Sequence, residues 1–456
     1  MIKINKTFVT LGVFLVFCLG IVGHHFFYSD SPTRETQSSK KKQALLDGRE
    51  LELGAVKNQT DKVIDEPSAL FNDPAIKQAW GLKKSDAARA WSVSQGSSDV
   101  IVAVIDTGID ENHEDLKSNI WNNPGESGLD SKGHDKANNG IDDDNNGFID
   151  DIHGWNFVSN NNRLDDNHGH GTHIAGIIGA EAGNGKGISG ISPKVSLMIL
   201  KYFDPKVPNT DNLKNTVAAM QYAVKMGAHI INYSGGGTDY SQEEFEAVQA
   251  AEKKGIVFVA AAGNERSNSD QHHYYPADYK LKNIISVTAI DPTTEVLSSS
   301  NYGTETVDIA APGQNILSCL PHNSYGLMTG TSQATAFVTG AAVLVMAHKN
   351  QYFKAEEVKK YILATGDTST SLIAKTKTAR QLNLFKALTI LNGEKSTSGA
   401  KYVNKDQYSN SDESIDGSRK EDRNVIRFGK SLLEAIGPAH IKKKPTTRLG
   451  QENNPD

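Results

Sequence analysis

Cysteine is nearly absent from this sequence, since only Cys18 and Cys319 occur among 456 residues. One of the two lies in an N-terminal apolar run, so a disulfide framework and the small disulfide-rich folds are excluded. The sequence also lacks a large excess of charge of one sign, because 48 lysines and arginines nearly balance 54 aspartates and glutamates. The formal net charge of −6 leaves no basic footprint, and we expect no nucleic-acid partner. The 40 glycines and 38% hydrophobic residues instead suit a globular α/β protein.

The N-terminus combines positive charge with a long apolar stretch. Lys3 and Lys6 precede FVTLGVFLVFCLGIVG (8–23), which is the pattern of an export signal. No A-x-A cleavage site follows, and the run approaches the length of a membrane span. We therefore expect residues 1–28 to be either a signal peptide or a membrane anchor, and the protein to be secreted or held in the cell envelope.

The remainder of the chain divides into three segments by composition. Residues 29–70 are polar and lysine-rich, and we expect a linker or a short pro-segment there. Residues 71–392 carry the pattern of one large domain. Residues 393–456 lack apolar periodicity and are expected to form a charged, disordered tail with one short amphipathic helix. We expect a monomer.

Four near-continuous apolar runs separated by helical patterns dominate residues 71–392. The runs are DVIVAVID (99–106), HIINYS (229–234), IVFVAAAGN (256–264) and NIISVTAID (283–291). Such runs are typical of strands that are buried on both faces of a parallel sheet. Between them, Ser241 and Glu244 predict a capping box at the start of one helix. The sequence therefore predicts an α/β fold with three α/β/α layers and a mainly parallel central sheet.

Polar residues stand where several of these elements begin or end. Asp106 ends the first strand and Asn264 ends the third, whereas His170 and Ser332 each begin a predicted helix. In open α/β sheets the chemistry gathers beyond the carboxyl ends of the strands. Taken singly, each residue is common as a cap or turn residue. Together, in the order Asp, His, Ser, they predict a site for nucleophilic catalysis.

The motifs around these residues resemble those of the subtilisin-like serine proteases, the subtilases. They are VIDTGID around Asp106, HGTHIAG around His170 and GTSQATAFVTG around Ser332, with INYSGG, AAAGNE, YPADY and VDIAAPG in support. The resemblance covers about residues 71–392, and the order of the three residues is the subtilisin one. It implies a serine endopeptidase that forms an acyl-enzyme, with those three residues as the triad and Asn264 as an oxyanion donor.

The resemblance also implies how a polypeptide substrate would bind. It would lie extended along the backbone edge formed by Ser234, Gly235 and Gly236. Family members usually carry leucine at the position of Gly235, so we expect a wider or a looser cleft here. Glu265 matches the rim of the main specificity pocket, and its charge is expected to favour basic side chains.

The run NHGHGTH (167–173) allows an alternative interpretation. Its three histidines, His168, His170 and His173, resemble the zinc-binding loop of metallo-hydrolases and would make the protein a zinc hydrolase. Thr172 argues against zinc, because that loop needs aspartate at this position. A second alternative is a catalytically silent subtilase-like binding domain at the cell envelope. The complete set of triad residues and Asn264 argues against it.

An acidic stretch, NNGIDDDNNGFIDDIHGWNF (138–157), predicts a calcium site. Oxygen-bearing residues at alternate positions and the glycine at 147 match the first half of a calcium loop, although His153 replaces the final glutamate of an EF-hand. The expected ligands are Asp142, Asp144, Asn146, the carbonyl of Phe148, Asp150 and Asp151. The resemblance alone implies a second calcium site at Gln78, Asp115 and Asn184. Calcium is thus the expected cofactor, and it would stabilise the fold.

Overall fold

The computed structural model describes residues 66, 68, 70–348 and 354–390. The predicted signal or anchor at 1–28, almost all of the 29–70 segment and the tail with its predicted helix lie outside the described residues. Among the described residues, no helix combines the length and the apolar character that a membrane crossing requires.

A nine-stranded sheet forms the centre of the domain. Including a separate hairpin, the described residues contain eleven strands, numbered along the chain: β1 (Gly96–Asp106), β2 (Gly154–Asn156), β3 (Lys194–Lys201), β4 (Ile230–Tyr233), β5 (Val257–Ala261), β6 (Ile284–Ile290), β7 (Ile309–Pro312), β8 (Ile316–Leu320), β9 (Ser324–Met328), β10 (Asp367–Thr368) and β11 (Arg380–Gln381). The order in the nine-stranded sheet is β10-β11-β7-β6-β5-β4-β1-β3-β2, and within it only β10 and β11 pair antiparallel. The strands β8 and β9 form a separate antiparallel hairpin. The predicted mainly parallel sheet is confirmed.

Helices cover both faces of this sheet. They are α1 (Trp80–Lys84), α2 (Ala87–Trp91), α3 (His170–Gly179), α4 (Asn212–Lys225), α5 (Gln242–Lys253), α6 (Thr331–His348), α7 (Ala355–Thr365) and α8 (Leu384–Thr389). Successive side chains of a strand point to opposite faces, so Val102 and Val104 of β1 join the core that contains α3 and α6. Ala103 and Ile105 join the other core, under α4 and α5. The three-layer prediction is confirmed.

The helix α6 is almost completely buried. All its residues from Thr331 to Met346 are buried, and its sequence is apolar or small on every side. A helix of this kind belongs in the middle of a large domain rather than at its surface. Burial fixes the position of the first turn of α6, which carries Ser332.

The predicted capping box at α5 forms only in part. The Ser241 hydroxyl accepts from the Glu244 N–H at 3.2 Å, as expected of an N-cap. The Glu244 carboxylate, however, accepts from the Tyr279 hydroxyl at 2.9 Å, and the Ser241 N–H donates to the same hydroxyl at 3.3 Å. The buried phenol of Tyr279 needs partners of its own, and it takes the place of the direct return bond.

Candidate active site

Asp106 lies at the carboxyl end of β1, an interior strand of the sheet. The strand pairs with β4 on one side and β3 on the other, and the Asp106 residue is only 3% exposed. Its Oδ1 accepts from the backbone N–H of Thr107 at 2.8 Å. A central strand paired on both sides therefore holds a buried carboxylate in a fixed place.

His170 is the first residue of α3 and contacts this carboxylate. Its Nδ1 lies 2.7 Å from Asp106 Oδ1, although the two residues are 64 apart in the chain. An ionised carboxylate can only accept, so Nδ1 carries the proton and Nε2 is the basic nitrogen of the neutral ring. The Asp106 side chain is 4% exposed and that of His170 22%, so the imidazole is the more accessible partner.

The charge of the surroundings decides the proton affinity of His170. Burial alone lowers its pKa, because the charged imidazolium loses hydration. The negative charge of Asp106 and its hydrogen bond to the ring raise the pKa of His170, and the charge of Asp166 raises it further. The net result is a pKa raised above the ordinary value for histidine.

Asp166 was not among the predicted site residues, yet it ties β1 to the start of α3. Its Oδ1 accepts from the Thr107 hydroxyl at 2.8 Å and from Gly169 N–H at 2.7 Å. Its Oδ2 accepts from the N–H and the hydroxyl of Thr172 at 2.8 and 2.7 Å. An acidic residue just before a predicted helix was the available signal, since such residues satisfy free N–H groups of the first turn.

Ser332 lies in the first turn of α6 and is 8% exposed. Its hydroxyl donates to the carbonyl of Ser234 at 3.1 Å, and Ser234 follows the end of β4. Because β4 is the neighbour of β1, Ser332 reaches the edge of the sheet that carries Asp106. In the described structure no hydrogen bond joins Ser332 to His170. Such bonds often form only when substrate is bound.

Asn264 follows β5 and contacts the same turn of α6. Its Oδ1 accepts from the backbone N–H of Thr331 at 3.1 Å and from the Thr331 hydroxyl at 3.3 Å. A backbone N–H can only donate, so the orientation of the amide is fixed and its NH₂ group remains to donate elsewhere. Asn264 is exposed. The structure therefore presents an amide donor to solvent next to Ser332.

The segment after β4 is shaped by glycine. A Cβ atom at Gly235 would lie 2.6 Å from the Tyr202 hydroxyl and 2.8 Å from the Tyr233 hydroxyl. These two phenols fill the space that a side chain at 235 would need. The absence of a side chain at Gly235 therefore leaves no open space at this point, because Tyr202 and the nearby Tyr233 occupy the room.

Glu265 is exposed beside Asn264, as its predicted place on a rim requires. Its carboxylate accepts from Asn301 Nδ2 at 2.7 Å, and its N–H donates to Asn301 Oδ1 at 3.0 Å. This double contact fixes the side chain at the edge of the cleft. The preference for basic side chains stays a prediction.

The other two histidines of the NHGHGTH run, His168 and His173, lie in different surroundings. His173 is completely buried and donates from Nε2 towards the carbonyls of Ile316 and Gly326, at 3.0 and 3.2 Å. Burial, with the nearby His170, lowers its pKa to about 4, so it is neutral. His168 is exposed. Within the described ranges, no histidine belongs to a group able to hold a metal, so the structure gives the zinc alternative no support.

The acidic stretch does form a compact cluster, with one member that the sequence analysis missed. Ligand oxygens of Glu126, Asp142 and Asp144 lie within 4.8 Å of one another. Glu126 is fully buried; its Oε1 accepts from the Asp143 N–H at 2.8 Å, and its Oε2 has no hydrogen-bond partner. Burial raises the pKa of Glu126 to about 7, and the charges of Asp151 and Asp144 add to this rise. A buried oxygen without a donor beside two carboxylates fits a hard cation such as calcium.

The other predicted ligands of this loop have different contacts. Asp150 accepts from the backbone N–H of Gly140 at 3.0 and 3.2 Å. Asp151 accepts from Asn123 at 2.8 Å, from Asn146 at 2.9 Å and from the Tyr222 hydroxyl. The group of ligand oxygens that lie within 4.8 Å of one another contains Glu126, Asp142 and Asp144 but not Asp150 or Asp151.

Asn146 and Phe148 complete the turn of the acidic loop. The Asn146 N–H donates to Asp142 Oδ1 and to Asp144 Oδ1, both at 2.9 Å, and the amide oxygen accepts from the Phe148 N–H at 2.8 Å. The ring of Phe148 packs edge-on against Trp155 and Tyr222. These two residues shape the loop around the carboxylates.

The region of the second predicted calcium site is filled by donors. Asp115 Oδ1 accepts from Asn184 Nδ2, and its Oδ2 accepts from Ile188 N–H and from the Tyr325 hydroxyl, each at 2.9 Å. The amide oxygen of Asn184 accepts from a backbone N–H instead of facing Asp115. Gln78, the third predicted ligand, ends a short 3₁₀ helix (Ile76–Gln78). Protein donors hold the Asp115 carboxylate in this structure, and the second calcium site stays a prediction.

Comparison with known proteins shows which family this chain is similar to. Residues 97–388 match the Subtilase family. Thermitase of Thermoactinomyces vulgaris is 34% identical over 299 residues, which are 65% of this chain and 91% of thermitase. A thermophilic serine proteinase of Bacillus sp. (strain AK1) is 34% identical over 309 residues, 66% of this chain and 67% of the relative.

The fold has a counterpart among solved structures as well. A protease from Pseudoalteromonas arctica PAMC 21717 superposes with a TM-score of 0.56 at 23% identity, covering 70% of this chain and 98% of that one. The sheet and the relatives together define a serine endopeptidase, a hydrolase of peptide bonds. The chain belongs to the subtilase family, and the resemblance of its motifs is confirmed.

Proposed function

We propose that the peptidase reaction of this protein runs through Asp106, His170 and Ser332, with Asn264 as a donor to the oxyanion. The observation that carries the proposal is the 2.7 Å contact of His170 Nδ1 with Asp106, at the sheet edge that Ser332 also reaches. The three side chains come from β1, α3 and α6, which packing holds in place. Little reorganisation is then needed for reaction.

In the first step, Ser332 Oγ attacks the carbonyl carbon of the peptide bond while His170 Nε2 takes the hydroxyl proton. Serine alone is a poor nucleophile at neutral pH, so this transfer is essential. The Asp106 carboxylate orients the ring and stabilises the imidazolium. The Ser332 hydroxyl must exchange its bond to the Ser234 carbonyl for one to His170 before it attacks.

The attack places a negative charge on the former carbonyl oxygen. Asn264 Nδ2 and the backbone N–H of Ser332 supply donors for it, and the N-terminus of α6 adds a favourable potential. The C–N bond then breaks, and the leaving amine takes the proton from His170. Water, deprotonated by His170, attacks the acyl-enzyme, releases the acid and restores the Ser332 hydroxyl.

The substrate of this reaction is an extended polypeptide. The backbone of Ser234, Gly235 and Gly236 follows β4 directly, and it offers main-chain groups next to Ser332. Pairing through main-chain groups tolerates many side chains. We propose these three residues as the edge along which the substrate lies.

Calcium at the acidic loop completes the proposal. Glu126, Asp142 and Asp144 would hold the ion, and its positive charge would compensate the unpartnered Glu126 oxygen. The ion would tie the acidic loop to the segment that carries Glu126 and so stabilise the folded state by mass action.

Export and a monomeric state are also proposed, with support from the sequence only. Lys3, Lys6 and the apolar run at 8–23 favour a secreted or membrane-anchored protein. Mass spectrometry of the N-terminus in the culture medium and in the membrane fraction distinguishes the two, and light scattering gives the oligomeric state.

The reaction mechanism is tested by Ser332→Ala, with Ser298→Ala as the matched control on an exposed loop. We expect Ser332→Ala to lose hydrolysis of a fluorogenic peptide while its melting temperature stays near that of the wild type. The control should keep full activity. Residual hydrolysis by Ser332→Ala close to the wild-type rate would exclude Ser332 as the nucleophile.

A further inference from the structure

The cleft beside Ser332 is bounded by the ends of two neighbouring strands. Ser234 and Gly236 follow β4, and Gly263 and Asn264 follow β5. Both segments contact the first turn of α6, through the Ser332 hydroxyl on one side and Thr331 on the other. A side chain next to the cleaved carbonyl must therefore enter between these two segments.

The ring of Tyr274 lies between the same two segments. A Cβ atom added at Gly236 would be 2.5 Å from Tyr274 Cε1, and one added at Gly263 would be 2.9 Å from Tyr274 Cδ2. Carbon atoms in ordinary contact are about 3.5–4.0 Å apart. The two edges of the ring are thus pressed against the backbone on either side, and glycine is needed at both positions to admit it.

The backbone that carries this ring is anchored. Tyr275 and Gly237 exchange two hydrogen bonds, of 2.7 Å from the Tyr275 N–H and 2.9 Å from the Gly237 N–H. The Tyr274 N–H donates to Asp278 Oδ2 at 2.8 Å, and Asp278 is 8% exposed. The ring is half-buried and therefore has a defined position in the gap.

Glu265 closes the same space from the rim. A Cβ atom at Gly263 would lie 2.4 Å from Glu265 Oε2, and Asn301 holds that carboxylate oxygen at 2.7 Å. Asn301 thus holds the charge of Glu265 beside Gly263, on the same side of the gap as the end of β5.

Resting on the proposed function, we infer that Tyr274 determines specificity: it fills the pocket for the residue that supplies the cleaved carbonyl. The substrate class is polypeptides with a small residue, glycine, alanine or serine, at that position. A larger side chain would have to displace a ring that is wedged between two backbones. In pockets of this kind a single methylene already changes discrimination by about 10- to 200-fold.

The test uses four peptides that differ only at this position, with alanine, leucine, phenylalanine or lysine, and compares kcat/KM. We expect the wild type to cleave the alanine peptide at least about tenfold better than the phenylalanine peptide. Tyr274→Gly should raise the phenylalanine value about tenfold or more and change the alanine value little. Tyr274→Phe keeps the ring and serves as the control, with the wild-type order of preference.

The wild-type series alone decides the inference if Tyr274→Gly does not fold. A wild-type preference for phenylalanine or leucine over alanine would overturn it while leaving the protease mechanism intact. Faster cleavage of the lysine peptide would also overturn it, in favour of the charge of Glu265. Failure to cleave any peptide, with no labelling of Ser332 by a fluorophosphonate, would overturn the proposed mechanism and this inference with it.

Discussion

Two buried carboxylates of this protein, Asp106 and Glu126, are compensated in different ways. Asp106 is 3% exposed, and its Oδ1 accepts from the Thr107 N–H and from His170. Glu126 is 0% exposed, but only its Oε1 has a donor, whereas its Oε2 has none. A carboxylate removed from water needs donors or a counter-charge. Asp106 has donors within the protein, whereas one of the two carboxylate oxygens of Glu126 has no donor.

Because of this difference, we expect Asp106 to affect the rate of catalysis and Glu126 to affect the stability of the fold. In the proposed mechanism the partner of Asp106 is the imidazole that moves the proton, so its charge is coupled to the reaction. In the proposed calcium site the missing partner of Glu126 is a cation from solution, so its charge is coupled to the folded state. Changes around Asp106 should therefore alter catalysis, and changes around Glu126 should alter the melting temperature.

The largest effect is expected for Asp106→Asn. The amide keeps the shape but removes the charge and favours the wrong tautomer of His170, so kcat should fall about 10⁴-fold. Steady-state kinetics measure this, with Asp239→Asn on an exposed loop as the control. A loss below tenfold would mean that the carboxylate is not coupled to the reaction.

The next largest effect is expected for Asn264→Ala. Removal of one oxyanion donor should lower kcat about 10²- to 10³-fold, a size known from oxyanion-site variants in general, and should leave KM almost unchanged. The reason is that the donor acts on charge that develops only in the transition state. A change confined to KM would assign Asn264 to ground-state binding instead.

Calcium should act at Glu126 and not at the catalytic edge. Addition of calcium at about 100 times its Kd should stabilise the wild type by about 2.7 kcal/mol, a rise in Tm of roughly 4 °C for a domain of this size. Glu126→Gln should abolish this rise, because the unpartnered oxygen loses its charge. Glu181→Gln, away from the cluster, is the control in thermal melts. An undiminished calcium shift in Glu126→Gln contradicts the proposed site.

The smallest effect is expected in the pH profile of Asp166→Asn. Burial lowers the pKa of His170, but the charges of Asp106 and Asp166 raise it, and the net shift is upward. The reaction needs neutral His170, so activity is lost as pH falls through this raised pKa. Removal of the Asp166 charge should lower that pKa and move the acid limb of kcat/KM to lower pH. The buried neighbour His173 is neutral and should not add a step. A limb that moves to higher pH would contradict the assigned role of the charge.

The sequence predicts the sheet and the catalytic edge better than the contacts of its acidic side chains. Asp106 and His170 are found because each lies in a motif tied to the end of a strand or the start of a helix. Glu126 escapes notice because it stands 17 residues before Asp143 in the chain, and only folding joins it to the loop. Asp150 and Asp151 fit the spacing of a calcium loop, but spacing does not show which donors satisfy a carboxylate.

The position of the Tyr274 ring could not be predicted from the sequence either. Tyr274 stands in a segment whose neighbours match a family motif, but nothing in the letters places its ring between Gly236 and Gly263. The space beside Gly235 shows the same dependence on packing, because the hydroxyls of Tyr202 and Tyr233 occupy it. Contacts between distant parts of the chain decide the volume of a cleft, and local sequence does not contain them.

The most direct measurement is reaction of the full-length protein with a fluorophosphonate, followed by peptide mass spectrometry. A serine activated by His170 and Asp106 should give one covalent adduct, on Ser332, in the wild type, and a much slower adduct in Asp106→Asn. No adduct, or an adduct on another serine at the same rate in both proteins, would contradict the convergence of the three side chains in one catalytic site.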